Sequence, residues 1–214
     1  TFFRSDTLSS LTDADMTTVC DLGVNTAVDL RYGDERAEEP SRFLGHAQVE
    51  VLELGLDERP GASFLDSFQA SPDAAETART YLTENYSKYP FLYAKGYGTL
   101  MRRLAAGDRV IVHCTAGKDR AGTAAALVLS ALGVPRETVF EDYLLTNQYW
   151  DRAGRERPGM DPETVATIFS AREEYLNAAF SAIEGQCGTV ETYLEDVLGL
   201  NAATLTALRA ACLS

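Results

Sequence analysis

The run RVIVHCTAGKDRAG, residues 109–122, decides the fold. Its opening residues, Arg109 to His113, are β-branched in the middle and too few for a helix. They lie between Gly107 and a glycine-bearing turn, the pattern of a strand buried on both faces. Beyond the turn, AGTAAALVLSALG is apolar on every side and stops at Gly133, as a helix enclosed by its own protein does. A strand, a tight turn and a buried helix, in that order, predict an α/β fold.

The flanking chain extends the pattern. SSLTDADMTTVCDLG predicts a short helix starting near Thr12 or Asp13 and ending at Gly23. VNTAVDLR (24–31) reads as a strand, and AQVEVLEL (47–54) alternates as a half-buried strand should. The charged YGDERAEEPSRFLG between them reads as a loop. Helical pattern resumes at Pro72 with DAAETARTYLTENY and again after Pro90 with FLYAKGYGTLMRRLAAG, where Tyr93, Tyr97, Leu100 and Leu104 share a helical face and predict core packing. Pro135 opens the helix PRETVFEDYLLTN, and three more helical patterns follow at 162–183, 189–198 and 201–212, the last capped by Asn201. The expectation is one domain over residues 1–214: a small, mostly parallel sheet flanked by helices, with a helical C-terminal third. Two long connections, 57–73 with Pro60, Gly61 and Pro72, and 151–163 with Arg152, Arg155 and Arg157, are candidate lids.

Composition narrows the function. Hydrophobic residues at 45% and charged residues at 24% are those of a soluble globular protein. Acidic residues outnumber basic ones 32 to 19, and the net charge of -13 repels nucleic acid and anionic membrane surfaces. No apolar run reaches the roughly 18 residues of a membrane span. Cys20, Cys114, Cys187 and Cys212 are widely spaced with no C-x-x-C pair, and His46 and His113 are the only histidines, so neither a disulfide framework nor a zinc site is predicted. Reduced thiols imply a cytoplasmic protein, or a secreted one if a signal segment upstream of Thr1 has been removed. An anionic substrate requires a local reversal of the field, which directs attention to GKDR.

Cys114 lies where the strand ends, Gly117 and Gly122 sit in or beside the turn, and the helix starts near Arg120 or Ala121. Successive backbone N–H groups of such a turn, together with the helix N-terminus, make a pocket for a phosphoryl dianion. The same positive potential favours the nucleophilic thiolate of Cys114. Arg120 brings a planar fork that matches two phosphoryl oxygens, a task lysine performs poorly.

HCTAGKDRAG resembles the signature loop of the atypical bacterial tyrosine/serine phosphatases, a cysteine-dependent family. FRSDTLSSLTDAD, VNTAVDLRYGDERAEEPSRF and YLLTNQYW are similar to segments that family carries in the same order. The resemblance implies a protein-tyrosine-phosphatase-like fold. It also implies hydrolysis of phosphotyrosine, with phosphoserine, phosphothreonine or phosphoinositide as further substrates, through a phosphocysteine on Cys114. Arg120 and the backbone of Thr115, Ala116, Gly117, Lys118 and Ala121 would then hold the phosphoryl group, Lys118 would meet a second anionic group, and Asp119 would be the general acid. No metal or cofactor is implied, and oligomeric state is left open.

Other readings stand beside these. Asp119 could pair with Arg120 or Arg31, Lys118 could be a solvated loop residue, and His113 reads as a strand residue that fixes the loop. Asp29 and Arg31 are either functional or a structural ion pair. Where the family carries threonine or serine after the arginine, this chain has Ala121, which predicts a less stabilised thiolate unless Thr115 or Thr123 supplies the hydroxyl. A dedicated phosphoinositide phosphatase and a phosphate-binding pseudophosphatase are the main alternatives. A sulfurtransferase or arsenate reductase fits GKDR poorly.

Overall fold

The computed structural model describes residues 1–58, 71, 73–151 and 160–213. Four strands form one all-parallel sheet in the order β1-β4-β2-β3: β1 Phe2–Ser5, β2 Thr26–Asp29, β3 Glu50–Glu53 and β4 Val110–His113. β4 is central, with Val112 opposite Arg4 of β1 and Val28 of β2. All four of its residues are buried, as its β-branched sequence requires of a strand covered on both faces.

Alternation along β2 and β4 sorts their side chains onto two unequal layers. Ala27 and Ile111 face a small cluster with Leu8, Val24, Phe43 and Val49, which α1 (Asp13–Asp21) covers. Val28, Val110 and Val112 face the main core. There α3 (Ala74–Leu92), α4 (Ala94–Ala105), α5 (Arg120–Ala131) and α6 (Arg136–Leu144) gather, with α9 (Glu173–Cys187) and α11 (Ala202–Leu213) outside them. The remaining helical segments are α2 (Gly33–Glu38), α7 (Thr146–Tyr149), α8 (Pro162–Phe169), α10 (Val190–Thr192) and a π-helical turn at Tyr193–Val197.

Local chemistry explains most boundaries. Thr12 and Asp15 cap α1 reciprocally, the Thr12 hydroxyl accepting from the Asp15 N–H and the Asp15 carboxylate from the Thr12 N–H. Asn201 accepts from the Thr204 N–H and starts α11 as expected. Tyr93, Tyr97, Leu100 and Leu104 are buried, so the stripe is core.

Four boundaries differ from the sequence reading. β1 was not anticipated. The charged loop after β2 contains α2. α3 runs through Pro90 to Leu92 before breaking at Tyr93; the Pro90 carbonyl accepts from the Tyr193 hydroxyl at 2.5 Å. The pattern at 162–183 is two helices, because the Asn147 side chain bonds both the N–H (2.7 Å) and the C=O (2.8 Å) of Ala171 and replaces the helical bonds there. The expected lids, with Arg152, Arg155 and Arg157, fall mainly outside the described residues. Among the described residues no helix is long and apolar enough to cross a membrane.

Candidate active site

The turn between β4 and α5 sits at the carboxyl end of the central strand, where ligands of open parallel sheets bind. Gly117 makes it possible: its φ of +66° is left-handed, and a Cβ there would lie 2.6 Å from the Ser5 carbonyl oxygen. α5 starts at Arg120 with Asp119 as its N-cap residue. Cys114 is buried at the end of β4, and all four cysteines are unpaired.

Arg120 is fixed from several directions. Its Nη1 donates to Glu35 Oε2 at 2.6 Å and its Nη2 to Glu35 Oε1 at 3.1 Å, a two-pronged pair. Nη2 also donates to the Thr115 hydroxyl, Nη1 to the Leu30 carbonyl, and the guanidinium lies 4.7 Å from the centre of the Tyr32 ring. The Tyr97 hydroxyl donates to the Arg120 carbonyl. Burial works against the guanidinium's charge, but the neighbouring Cys114 and Glu35 outweigh it and hold its proton more tightly than usual.

Glu35 is the residue that sequence reasoning missed. It lies on α2, and besides Arg120 it accepts from the Thr115 hydroxyl (2.6 Å) and the Tyr32 N–H (2.8 Å). Burial pushes its carboxyl up; the bonds and charge of Arg120, then Thr115 and Tyr32, bring it down to about 2. Nothing in DERAEE distinguishes Glu35 from its acidic neighbours. The only signal lies in its place three residues after Tyr32, where a first-turn glutamate can accept the N-cap N–H.

Lys118 and Asp119 depart from their expected settings. The Lys118 side chain is only 3% exposed, so it is not a solvated loop residue. Its ammonium donates to the Ile168 carbonyl at 2.5 Å, near the C-terminus of α8 where a cation is favoured. It also stands 3.4 Å from Asp119 Oδ1, close enough for an ion pair but not aligned for a hydrogen bond, and among the described residues Oδ1 has no hydrogen-bond partner. Asp119 withholds its side chain from the helix it caps; only its carbonyl is used, accepting from the N–H and hydroxyl of Thr123.

Beneath the turn, Arg31 and Asp29 form a buried, two-pronged ion pair, and Arg31 also donates to the Glu39 carbonyl and the Thr7 hydroxyl. The structural reading of that pair is the one observed. Burial raises the Asp29 carboxyl, yet the hydrogen bonds and the charge of Arg31 prevail and lower it. His113 Nε2 lies 3.5 Å from Asp29 and Nδ1 3.4 Å from the Cys114 carbonyl, and burial pushes the imidazole down to about 4. His113 is thus a neutral strand residue beneath the loop. Among the described residues no cluster of three His, Cys, Asp or Glu side chains is placed to hold a metal ion.

A thiol at the end of a central parallel strand, under a glycine turn and beside a clamped arginine, has the layout of a cysteine-dependent phosphatase. The chain belongs to the tyrosine phosphatase family, which it matches over residues 1–214. It is 31% identical to the triple specificity protein phosphatase PtpB of Mycobacterium tuberculosis, over 97% of this chain and 88% of that one. A protein of Cupriavidus necator assigned to the tyrosine-protein phosphatases is 30% identical, over 95% and 76%. A tyrosine-protein phosphatase of Nostoc commune is 28% identical, over 92% and 69%. The protein is accordingly a protein-tyrosine phosphatase.

Proposed function

We propose that this phosphatase hydrolyses phosphotyrosine through a covalent phosphocysteine on Cys114. The thiolate attacks phosphorus, the bond from phosphorus to the tyrosine oxygen breaks, and Asp119 gives that oxygen its proton. Water then displaces the thiolate and inorganic phosphate leaves. Arg120 and the N–H groups of residues 115–120, those of Thr115, Ala116, Gly117 and Lys118 among them, stabilise the phosphoryl oxygens, and Ala121 begins the buried helix behind them.

The observation that carries this reading is the Glu35 clamp. A guanidinium held by both its terminal nitrogens beside a buried thiol is preorganised for a phosphoryl group rather than left to search for one. The uncapped Asp119 carboxylate supports the proton-donor role. The Lys118 ammonium is engaged by Ile168, so the feature that motivated a dedicated phosphoinositide phosphatase is occupied within the fold. Activity on further substrates beside phosphotyrosine is supported by the relative in Mycobacterium tuberculosis, which is named for triple specificity.

The test is release of inorganic phosphate from a phosphotyrosine peptide in chelator-containing buffer. Wild type turns over, Cys114→Ser does not, and Asp119→Ala loses rate most on substrates with poor leaving groups. A wild type that binds the peptide without turnover returns the pseudophosphatase reading. A strong preference for an inositol phospholipid returns the lipid one.

A further inference from the structure

Gly117 is the only residue of the loop with a positive φ, and it carries no side chain to restrain the peptide that follows. That peptide matters. Its two ends point in opposite directions, the Gly117 carbonyl one way and the Lys118 N–H the other, because it is trans. If the plane turned over, a carbonyl dipole would face the phosphoryl oxygens where a donor is required.

The Gly117 carbonyl is held by Arg4 of the edge strand β1, a residue outside the loop. Arg4 Nη1 donates to Gly117 O at 3.1 Å and to the Thr146 hydroxyl at 2.7 Å. Nη2 donates to the Asp142 carbonyl at 2.8 Å, with the Asp142 carboxylate at 3.4 Å. Three acceptors from the end of α6 and the start of α7 therefore fix the guanidinium plane before it reaches the loop. The Arg4 side chain is only 16% exposed, so little water competes for these bonds. On the next residue, the Lys118 ammonium is tied to Ile168. The 117–118 peptide is clamped on both sides.

We propose that Arg4 is a positioning residue for the phosphate loop: by holding the Gly117 carbonyl on the outer face, it presents the Lys118 N–H to the phosphoryl group. The inference rests on the phosphocysteine reading of the loop. It gives the edge strand β1 a part in transition-state binding without contact to substrate.

Inorganic phosphate as a competitive inhibitor reads the loop directly. In Arg4→Gln, the inhibition constant for phosphate should rise about tenfold, the equivalent of one lost oxyanion donor partly compensated by water. Turnover should fall and KM rise together, while the melting temperature reports any loss of fold. Arg4→Lys keeps the charge but not the planar fork, and should fall between wild type and Arg4→Gln. If Arg4→Gln fails to fold, Arg4→Lys decides alone. A folded variant of either kind with wild-type phosphate inhibition and turnover overturns the proposal. A wild type that neither turns over phosphotyrosine nor is inhibited by phosphate overturns the loop reading itself, which separates the two failures.

Discussion

At the scale of single residues, the site is a set of charges each restrained by a partner. Replacing Glu35 by Gln leaves the Arg120 guanidinium largely buried without its counter-charge, at a cost of about 3 kcal/mol. The arginine then loses its fixed orientation, and kcat/KM should drop on the order of 10²-fold; steady-state kinetics beside a urea melt measure both, and unchanged kinetics in a folded variant would show that the clamp is structural only. Ala121 is the second case. The two neighbouring hydroxyls are committed: Thr115 donates to Glu35, and Thr123 donates to the Asp119 carbonyl. Neither is left for Cys114, so Ala121→Thr should speed breakdown of the phosphoenzyme by roughly tenfold, the worth of one hydrogen bond to a charged group. Burst kinetics with a chromogenic aryl phosphate resolve that step; an unchanged breakdown rate would remove the hydroxyl from the account. The turn from Cys114 to Arg120 was legible because strand end, turn glycine and helix start coincide in seven positions. The contacts of Glu35 and Arg4 were not, because their partners are 85 and 113 residues away; the one local mark, the place of Glu35 three residues after Tyr32, points to a helix cap and not to Arg120.

At the scale of elements, helices were legible as far as their own sequence controlled them and illegible where tertiary contacts took over. The break at Ala171 depends on Asn147 on α7, and β1 exists because β4 lies beside it: four residues with a charged side chain third carry no period of their own. Packing between elements is equally specific behind the loop. Tyr86 on α3 and Tyr143 on α6 share a hydroxyl–hydroxyl bond of 2.6 Å in the core, and the Tyr143 ring occupies the space a Cβ on Gly122 would need. Burial, with Asp119 and the partner phenol adding to it, pushes the Tyr86 hydroxyl well above its ordinary range, so the pair is neutral. Tyr86→Phe and Tyr143→Phe should each cost about 1–2 kcal/mol, because each leaves the other hydroxyl buried without its partner. The double variant should cost less than the sum, and a double-mutant cycle by chemical denaturation checks it. Strict additivity would mean that water replaces the lost partner.

At the scale of the whole molecule, charge sets both the acid limit of stability and the approach of substrate. His113 is held neutral, its imidazole depressed from 6.5 to about 4, so its contribution is complete above pH 6.5 and is lost as pH falls toward 4, where the unfolded chain binds a proton the folded one refuses. Glu35, depressed from 4.5 to about 2, adds a second loss between those values. Stability should therefore fall in two stages, each approaching about 1.4 kcal/mol per pH unit; His113→Gln should flatten the upper stage and Glu35→Gln the lower, as pH-dependent melts would show. Substrate approach follows from the net charge of -13. Among the described residues the cations around the loop are already paired, Arg120 with Glu35, Arg31 with Asp29, Arg4 with Asp142 and Arg36 with Asp57. On the proposed mechanism, short-range donors would hold the phosphoryl group inside a body that repels it at distance. That repulsion reaches ~30 Å at 0.01 M salt and ~8 Å at 0.15 M. A phosphotyrosine peptide with acidic flanks should gain several-fold in kcat/KM across that range, while one with basic flanks should lose, the two converging at high salt. The measurement is kcat/KM for both peptides against sodium chloride. Parallel slopes would mean that the far field does not reach the encounter and that the loop alone selects the substrate.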